Sequence, residues 1–137
     1  MAAPGTKKQR GPRGKGRKQL GDLGEELVAR HLLTMGFEIR ARNYRRRGAE
    51  IDVIAQKGGR LVFVEVKTRR TRSHGSPVYS VTEAKQRKLA QAALLYLSLE
   101  RPCFHEASFA VASVEPDGTG AWTIQLLEDA FENPLPW

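Results

Sequence analysis

Four charged residues on two predicted strands form the group in this sequence that could do chemistry. Glu65 and Lys67 interrupt the apolar stretch LVFVEVKTRR, and Glu50 and Asp52 lie in the preceding stretch AEIDVIA. Side chains two residues apart on a strand share a face, so the members of each pair point together. The intervening QKGG predicts a hairpin turn, which makes the two strands neighbours. If the strands pair in register, Asp52, Glu65 and Lys67 converge on one patch.

Such a patch needs more positive charge than one lysine supplies. Carboxylates that approach one another raise each other's pKa, and a buried charge without a partner is strongly destabilising. Lys67 offsets one negative charge, so a divalent ion, Mg²⁺ or Mn²⁺, would balance the remainder. A metal of this kind activates water and stabilises a leaving oxygen, and Lys67 could stabilise the developing phosphorane charge. The pattern therefore favours a metal-dependent phosphodiesterase, although a Glu-x-Lys pair alone is more often a solvated salt bridge.

Positive charge is concentrated in two parts of the chain. The net charge is +8, to which residues 1–18 contribute +7 and residues 40–88 contribute +10, while residues 19–39 and 89–137 are net acidic. Clustered positive charge indicates a polyanionic partner, here a nucleic acid. We expect phosphate contacts from the arginines that flank the acidic patch, namely Arg45, Arg46, Arg47, Arg69, Arg70 and Arg72.

Length and composition favour one compact domain in the cytoplasm. The chain has 137 residues, of which 40% are hydrophobic, and this is enough for one core. No apolar stretch is long enough to span a bilayer, and no secretory signal follows the N-terminal charges. Cys103 is the only cysteine, which excludes an intramolecular disulfide and a cysteine-based zinc site. We expect no membrane association.

Hydrophobic periodicity predicts an α/β protein with the order helix, three strands, helix, two strands. Residues 1–18 have little to bury and are expected to form a disordered basic tail, followed by a single domain over residues 19–137. Gly36 should end the first helix and Thr82 should cap the second. The predicted helices are 20–35 and 83–99, and the predicted strands are 37–44, 49–55, 60–68, 105–114 and 122–128.

The same motifs resemble a known nuclease signature. The dipeptide Ile51-Asp52, followed by VEVK, is similar to the PD-(D/E)XK pattern, with isoleucine in place of the motif proline. The segments GDLGEELVARHLLTMGF, ARNYRRRGAEIDVIA, LVFVEVKTR and VTEAKQRKL together resemble the bacterial YraN family of predicted endonucleases, with Ala49 where that family usually has glycine. The resemblance covers residues 21 to about 97. It implies a restriction-endonuclease-like fold, similar to that of archaeal Holliday-junction resolvases, with a mixed central sheet of about five strands flanked by helices.

The resemblance also assigns roles to individual residues. Glu25, Asp52 and Glu65 would bind the metal ion, together with the backbone carbonyl of Val66. Lys67 would be the catalytic lysine. Periodicity alone places Glu25 at the border of a helix's apolar stripe, where it could equally be a favourable acid in the first helical turn.

Two further residues receive roles by the same route. Glu50 matches the glutamate of the family's Gly-Glu-Ile-Asp motif and is an accessory candidate. Lys85 matches a recurrent lysine that would contact phosphate.

Three functions stay open at this point. The leading hypothesis is a metal-dependent endonuclease acting on DNA, with branched or recombination intermediates as candidate substrates and a homodimer by analogy with junction resolvases. The second is a nucleic-acid binding module with little or no catalysis, since a fold does not guarantee an activity. The third is an accessory protein that docks another factor through its acidic C-terminal third.

Overall fold

The computed structural model describes residues 13–71 and 81–135. Its helices and strands occur in the order that the sequence predicts, which confirms the α/β class. They are α1 (Arg13–Thr34), β1 (Glu38–Arg46), β2 (Ala49–Lys57), β3 (Arg60–Thr68), α2 (Glu83–Glu100), β4 (Glu106–Pro116) and β5 (Trp122–Leu127). Within the described residues, neither helix has the length and hydrophobicity required to cross a membrane.

Helix α1 begins earlier than the sequence pattern predicts. The helix includes residues 13–18, the last six residues of the predicted basic tail, and residues 1–12 lie outside the described part of the chain. Lysine and arginine are good helix formers, and Lys18 pairs with Asp22 one turn on at 3.5 Å,. A search for apolar periodicity cannot detect a turn that is built from basic residues.

The five strands form one mixed sheet in the order β1-β2-β3-β4-β5. Strands β1, β2 and β3 pair antiparallel, β3 pairs parallel with β4, and β5 returns antiparallel. The parallel pair needs a crossover connection, which α2 supplies. This is the mixed five-stranded sheet with flanking helices that was expected, and it is consistent with a restriction-endonuclease-like fold.

Helices cover both faces of the sheet. On one face Ile54 and Phe63 pack in a core cluster with residues of α2 such as Leu89. On the other face Val53 and Val64 pack with Val28 and Leu32 of α1. Because side chains alternate along β2 and β3, these strands contribute residues to two separate apolar layers. The candidate site lies between these layers.

The alternation fails at one position in β2. Ile51 belongs to the α2 layer and Val53 to the α1 layer, although residues two apart on a regular strand share a face. On β1 the partners of these residues flank Asn43, whose φ of 52° is left-handed. Asparagine tolerates that conformation better than most residues. Both strands thus change side at the level of Asp52.

Candidate metal and catalytic site

Asp52 lies where β2 and β3 stop pairing. The last paired residues are Val53 and Val64, and one step beyond them the main-chain amide of Val66 donates a hydrogen bond of 2.8 Å to Oδ2 of Asp52. We call the point where β2 and β3 separate the fork. There the Asp52 carboxylate accepts the hydrogen bond that a main-chain carbonyl would otherwise accept. This fixes Asp52 against the strand that carries Glu65 and Lys67.

Glu65 is the buried partner of Asp52. Its side chain faces the α2 layer and the residue is only 7% exposed. Burial and the charge of Asp52 raise the pKa of Glu65 to about 7. Burial also raises the pKa of Asp52, although the Val66 amide opposes that rise. The two carboxyl groups lie close enough to shift each other's pKa, and two carboxylates at such a separation repel when both are ionised.

Lys85 supplies the counter-charge to this pair. Its Nζ, which extends from the first turn of α2, lies 3.4 Å from Oε2 of Glu65. Lys67 is the predicted counter-charge and Lys85 a predicted phosphate contact, and the first of these predictions is wrong because Lys85 pairs with Glu65. Lys67 is partly buried on the same strand, two residues after Glu65, and makes no ion pair within the described ranges.

Glu25 approaches Asp52 from α1. Burial, and then the charge of Asp52, raise the pKa of Glu25 to about 7. Its Oε1 atom is buried and has no hydrogen-bond partner among residues 13–71 and 81–135. The position that the resemblance assigned to Glu25 is therefore beside the acidic pair, and its orphaned oxygen is available to a ligand.

A glycine brings α1 close enough to place Glu25. Gly24 is buried against Thr68 at the end of β3, and a Cβ at position 24 would overlap the Thr68 hydroxyl. Any larger residue would push the helix away from the sheet. Like Oε1 of Glu25, the Thr68 Oγ1 atom is buried and unpartnered in the described structure.

Asn43 is a site residue that sequence reasoning missed. Its amide lies beside Glu25 and lowers the pKa of that carboxyl by hydrogen bonding. The main chain of Asn43 has a left-handed φ of 52°. The only signal in the sequence is the residue type, because asparagine is the polar residue that most readily adopts this conformation.

The three carboxylates do not form a finished metal cage. Over the described ranges, no three acidic, histidine or cysteine side chains are grouped so that they could hold an ion. The expectation that Glu25, Asp52 and Glu65 converge on one point is therefore not met in this conformation. Oε2 of Glu65 is engaged by Lys85 and Oδ2 of Asp52 by the Val66 amide, which leaves an acidic pair with Glu25 as its neighbour.

Two of the predicted phosphate-binding arginines are engaged by acids. Arg45 pairs with the accessory candidate Glu50 across the β1–β2 hairpin, with Nε 3.0 Å from Oε2. Arg69 pairs with Glu115 of β4 at 3.3 Å, and both side chains are partly buried. A partly buried pair is a structural contact in the first instance, so Arg69 is the weakest of the predicted phosphate ligands.

The remaining arginines present more open surface. Arg47 occupies the exposed β1–β2 turn with a φ of 52°, and Arg46 stacks on the ring of Tyr44. Arg70 is exposed after β3, on the side where α1 begins. Arg72 lies outside the described residues.

Fold and site together define an α/β domain with a desolvated acidic pair at a fork between two strands. The chain belongs to the Uncharacterised protein family UPF0102, whose sequence model matches residues 24–114. This confirms the family resemblance that the motifs indicated.

Relatives in this family are similar over nearly their whole lengths. The UPF0102 protein STH1475 of Symbiobacterium thermophilum is 48% identical over 83% of this chain and 97% of its own. A UPF0102 protein of Pelobacter propionicus is 39% identical over 96% and 98%. Among solved structures, Pyrococcus furiosus SfsA in complex with Ca²⁺ is a distant likeness, with a TM-score of 0.40 and 13% identity over 82% of this chain and 63% of that chain.

Proposed function

We propose that this protein is a metal-dependent endonuclease that hydrolyses phosphodiester bonds of DNA. The observation that supports this most directly is the buried pair of Asp52 and Glu65, whose pKa values are both raised. The positive charge of Lys85 lowers these pKa values but does not return them to their ordinary range. Buried acids with strongly raised pKa values cluster at functional sites.

The donor set fits a hard divalent ion. Mg²⁺ and Mn²⁺ prefer carboxylate and carbonyl oxygens, which Asp52, Glu65 and the Val66 carbonyl could offer. Glu25 would add a third carboxylate through its unpartnered Oε1. When bound, such an ion would activate a water molecule and stabilise the leaving oxygen of a phosphodiester.

Lys67 and the open arginines would act on the substrate. Lys67 has no acidic partner in the described part of the chain, so its ammonium is available to stabilise charge that develops on the scissile phosphate. Arg47 and Arg70, which are both exposed, would bind neighbouring phosphates. A junction-type substrate requires two cuts, so we include a homodimer in this proposal.

A cleavage assay tests the function. Branched, nicked and single-stranded DNA would be incubated with Mg²⁺ or Mn²⁺ and wild-type protein, Asp52→Asn or Lys67→Met. We expect cleavage by the wild type, and a loss of at least about 100-fold in each variant, in the range of one lost catalytic group. Glu132→Gln, which changes an exposed acid, is the matched control. Identical products from the wild type and Asp52→Asn would remove the nuclease assignment.

The incomplete grouping of the three carboxylates favours one alternative, a nucleic-acid binding module without catalysis. In that case DNA would bind with a steep dependence on salt, no cleavage product would form with either metal, and Asp52→Asn would bind DNA at least as well as the wild type.

A further inference from the structure

A cleft lies at the far end of α2 from the acidic pair. Lys85 marks the end of the helix at the acidic pair and Glu100 marks the end at the cleft, about 22 Å away at 1.5 Å per residue. The cleft has a volume of about 450 Å³, within the range of small-ligand sites. Edge strand β1 forms one wall and the last turns of α2 form the other.

Two arginines on β1 are held in place at this cleft. The guanidinium of Arg46 lies 4.9 Å above the ring centre of Tyr44 and donates a 2.9 Å hydrogen bond to the carbonyl of Arg45. Arg40 lies beside Tyr96 and 3.3 Å from Glu38, and both neighbours raise the pKa of Arg40. Arg46 has no acidic partner in the ranges described. A guanidinium that is stacked and positioned in advance is suited to binding phosphate.

Tyr44 adds a buried donor to the lining. The residue is 8% exposed, and its ring meets Tyr96 edge to face at 5.2 Å. Its hydroxyl is buried and has no hydrogen-bond partner within the described structure. Burial raises the pKa of Tyr44, so the hydroxyl keeps its proton at neutral pH. Buried polar groups are normally paired, and a ligand in this cleft would supply the missing acceptor.

The wall of the cleft that α2 forms is negatively charged. Glu100 lines the cleft and lies near enough to Tyr44 to act on it electrostatically, and the C-terminal end of α2 adds partial negative charge. A ligand that fills the cleft should therefore have an anionic end for the arginines and hydrogen-bond donors for the carboxylate. A nucleotide with an amino-bearing base has both, because carboxylates accept hydrogen bonds from the amino group of cytosine.

We propose that this cleft binds one nucleotide unit of a nucleic-acid strand, with its phosphate at Arg46 and Arg40 and its base edge toward Glu100. The inference rests on the proposed function for the source of the nucleotide. It adds a second point of contact, about 22 Å from the acidic pair along α2, through which a strand would be held away from the position of cleavage.

Binding of a labelled oligonucleotide tests the proposal. Fluorescence anisotropy would follow 5′-phosphorylated dC8 binding to full-length protein that carries Asp52→Asn, in EDTA. We expect Arg46→Gln to weaken binding about 5- to 10-fold and Tyr44→Phe about 3-fold, as for lost charge-assisted and neutral hydrogen bonds. Arg42→Gln is the matched control, because it removes the same charge from β1 at a residue that does not line the cleft.

Three results would overturn the proposal. The first is equal weakening by Arg42→Gln and Arg46→Gln with no effect of Tyr44→Phe, which would indicate diffuse electrostatics. The second is a lower melting temperature for Tyr44→Phe, since removal of an unpartnered hydroxyl should not destabilise the free protein. The third is an unchanged preference for dC8 over dT8 in Glu100→Gln, where we expect that preference to fall.

Further measurements distinguish a free nucleotide from a nucleic-acid strand as the ligand. They also distinguish failure of the cleft proposal from failure of the nuclease proposal. Binding of free dCMP that is weakened by Arg46→Gln would support the cleft with a free nucleotide as its ligand. Loss of oligonucleotide binding in the cleft variants, in a protein that cleaves no DNA, would support the cleft and contradict the nuclease. If Arg46→Gln and Tyr44→Phe cleave and bind DNA as well as the wild type, the result would support the nuclease and contradict the cleft.

Discussion

The main-chain amide of Val66 donates a hydrogen bond to Oδ2 of Asp52 at the point where β2 and β3 separate. This single contact ties the acidic residue of one strand to the strand that carries Glu65 and Lys67. It also explains why the fork is stable, because the carboxylate satisfies an amide that has lost its neighbour on β2. The acidic pair is therefore part of the way the sheet ends, and it does not depend on a flexible loop.

The acidic pair should make the metal-free protein less stable as the pH rises. The folded-state pKa of Glu65 is about 7, above its ordinary 4.5, so the folded state keeps a proton that the unfolded state has lost. The contribution of Glu65 to the free energy of unfolding is therefore most favourable below about pH 4.5 and becomes less favourable up to about pH 7. We expect Glu65→Gln to be more stable than the wild type by on the order of 2 kcal/mol at pH 8 and equal to it at pH 4, by denaturant unfolding in EDTA.

The exposed Glu132→Gln should show no such difference between the two pH values. If Glu65→Gln were less stable than the wild type at pH 8, the desolvation argument for the pair would be wrong.

The contact between Gly24 and Thr68 should be intolerant of a methyl group. We expect Gly24→Ala to lower the free energy of unfolding by about 1–3 kcal/mol, as for overpacking elsewhere, and to weaken cleavage because Glu25 moves with the helix. Gly21 lies on the same helix with open space around its Cα. Gly21→Ala should therefore stabilise the protein by up to about 1 kcal/mol through helix propensity. Equal stabilisation by both changes would show that α1 does not rest on Thr68.

The ion pair between Lys85 and Glu65 should compete with a metal for the carboxylate. Lys85→Met removes the cation 3.4 Å from Oε2 of Glu65, so we expect a loss of about 1 kcal/mol at pH 8, between the values for surface and buried pairs. The loss should be smaller at pH 5, where Glu65 is protonated. Stabilisation of the variant by Mg²⁺, measured as a shift in melting temperature, should exceed that of the wild type.

Lys88→Met is the control for Lys85, because Lys88 is an exposed residue less than one turn further along α2. A similar effect of the two substitutions at both pH values would mean that Lys85 acts only through general surface charge.

The sequence predicted the elements well because their signals are local. Strand β3 has the predicted bounds, 60–68, since an apolar run with period two is enclosed by a turn and a basic segment. Thr82 caps α2 as expected, accepting a hydrogen bond from the amide of Lys85. Gly36 follows α1 with a φ of 92°, where only glycine is unstrained.

The parts that failed depend on tertiary contacts. The change of side at Asp52 needs a matching change at Asn43 on the neighbouring strand, and the alternating pattern of AEIDVIA gives no sign of it. The partner of Glu65 is Lys85 and not Lys67, because the fold brings together two side chains that are twenty positions apart in the sequence. Periodicity placed Glu25 only at the edge of a helix, and its approach to Asp52 requires the close contact at Gly24.

The most direct test of the account is a calorimetric titration of the protein with Mn²⁺ at pH 8. We expect the wild type to bind one ion per site and Asp52→Asn to bind at least about 10-fold more weakly, in the range of a lost metal-site contact, while Glu132→Gln binds like the wild type. Equal Mn²⁺ binding by the wild type and Asp52→Asn, or no binding by the wild type at millimolar Mn²⁺, would contradict a metal site at Asp52 and Glu65.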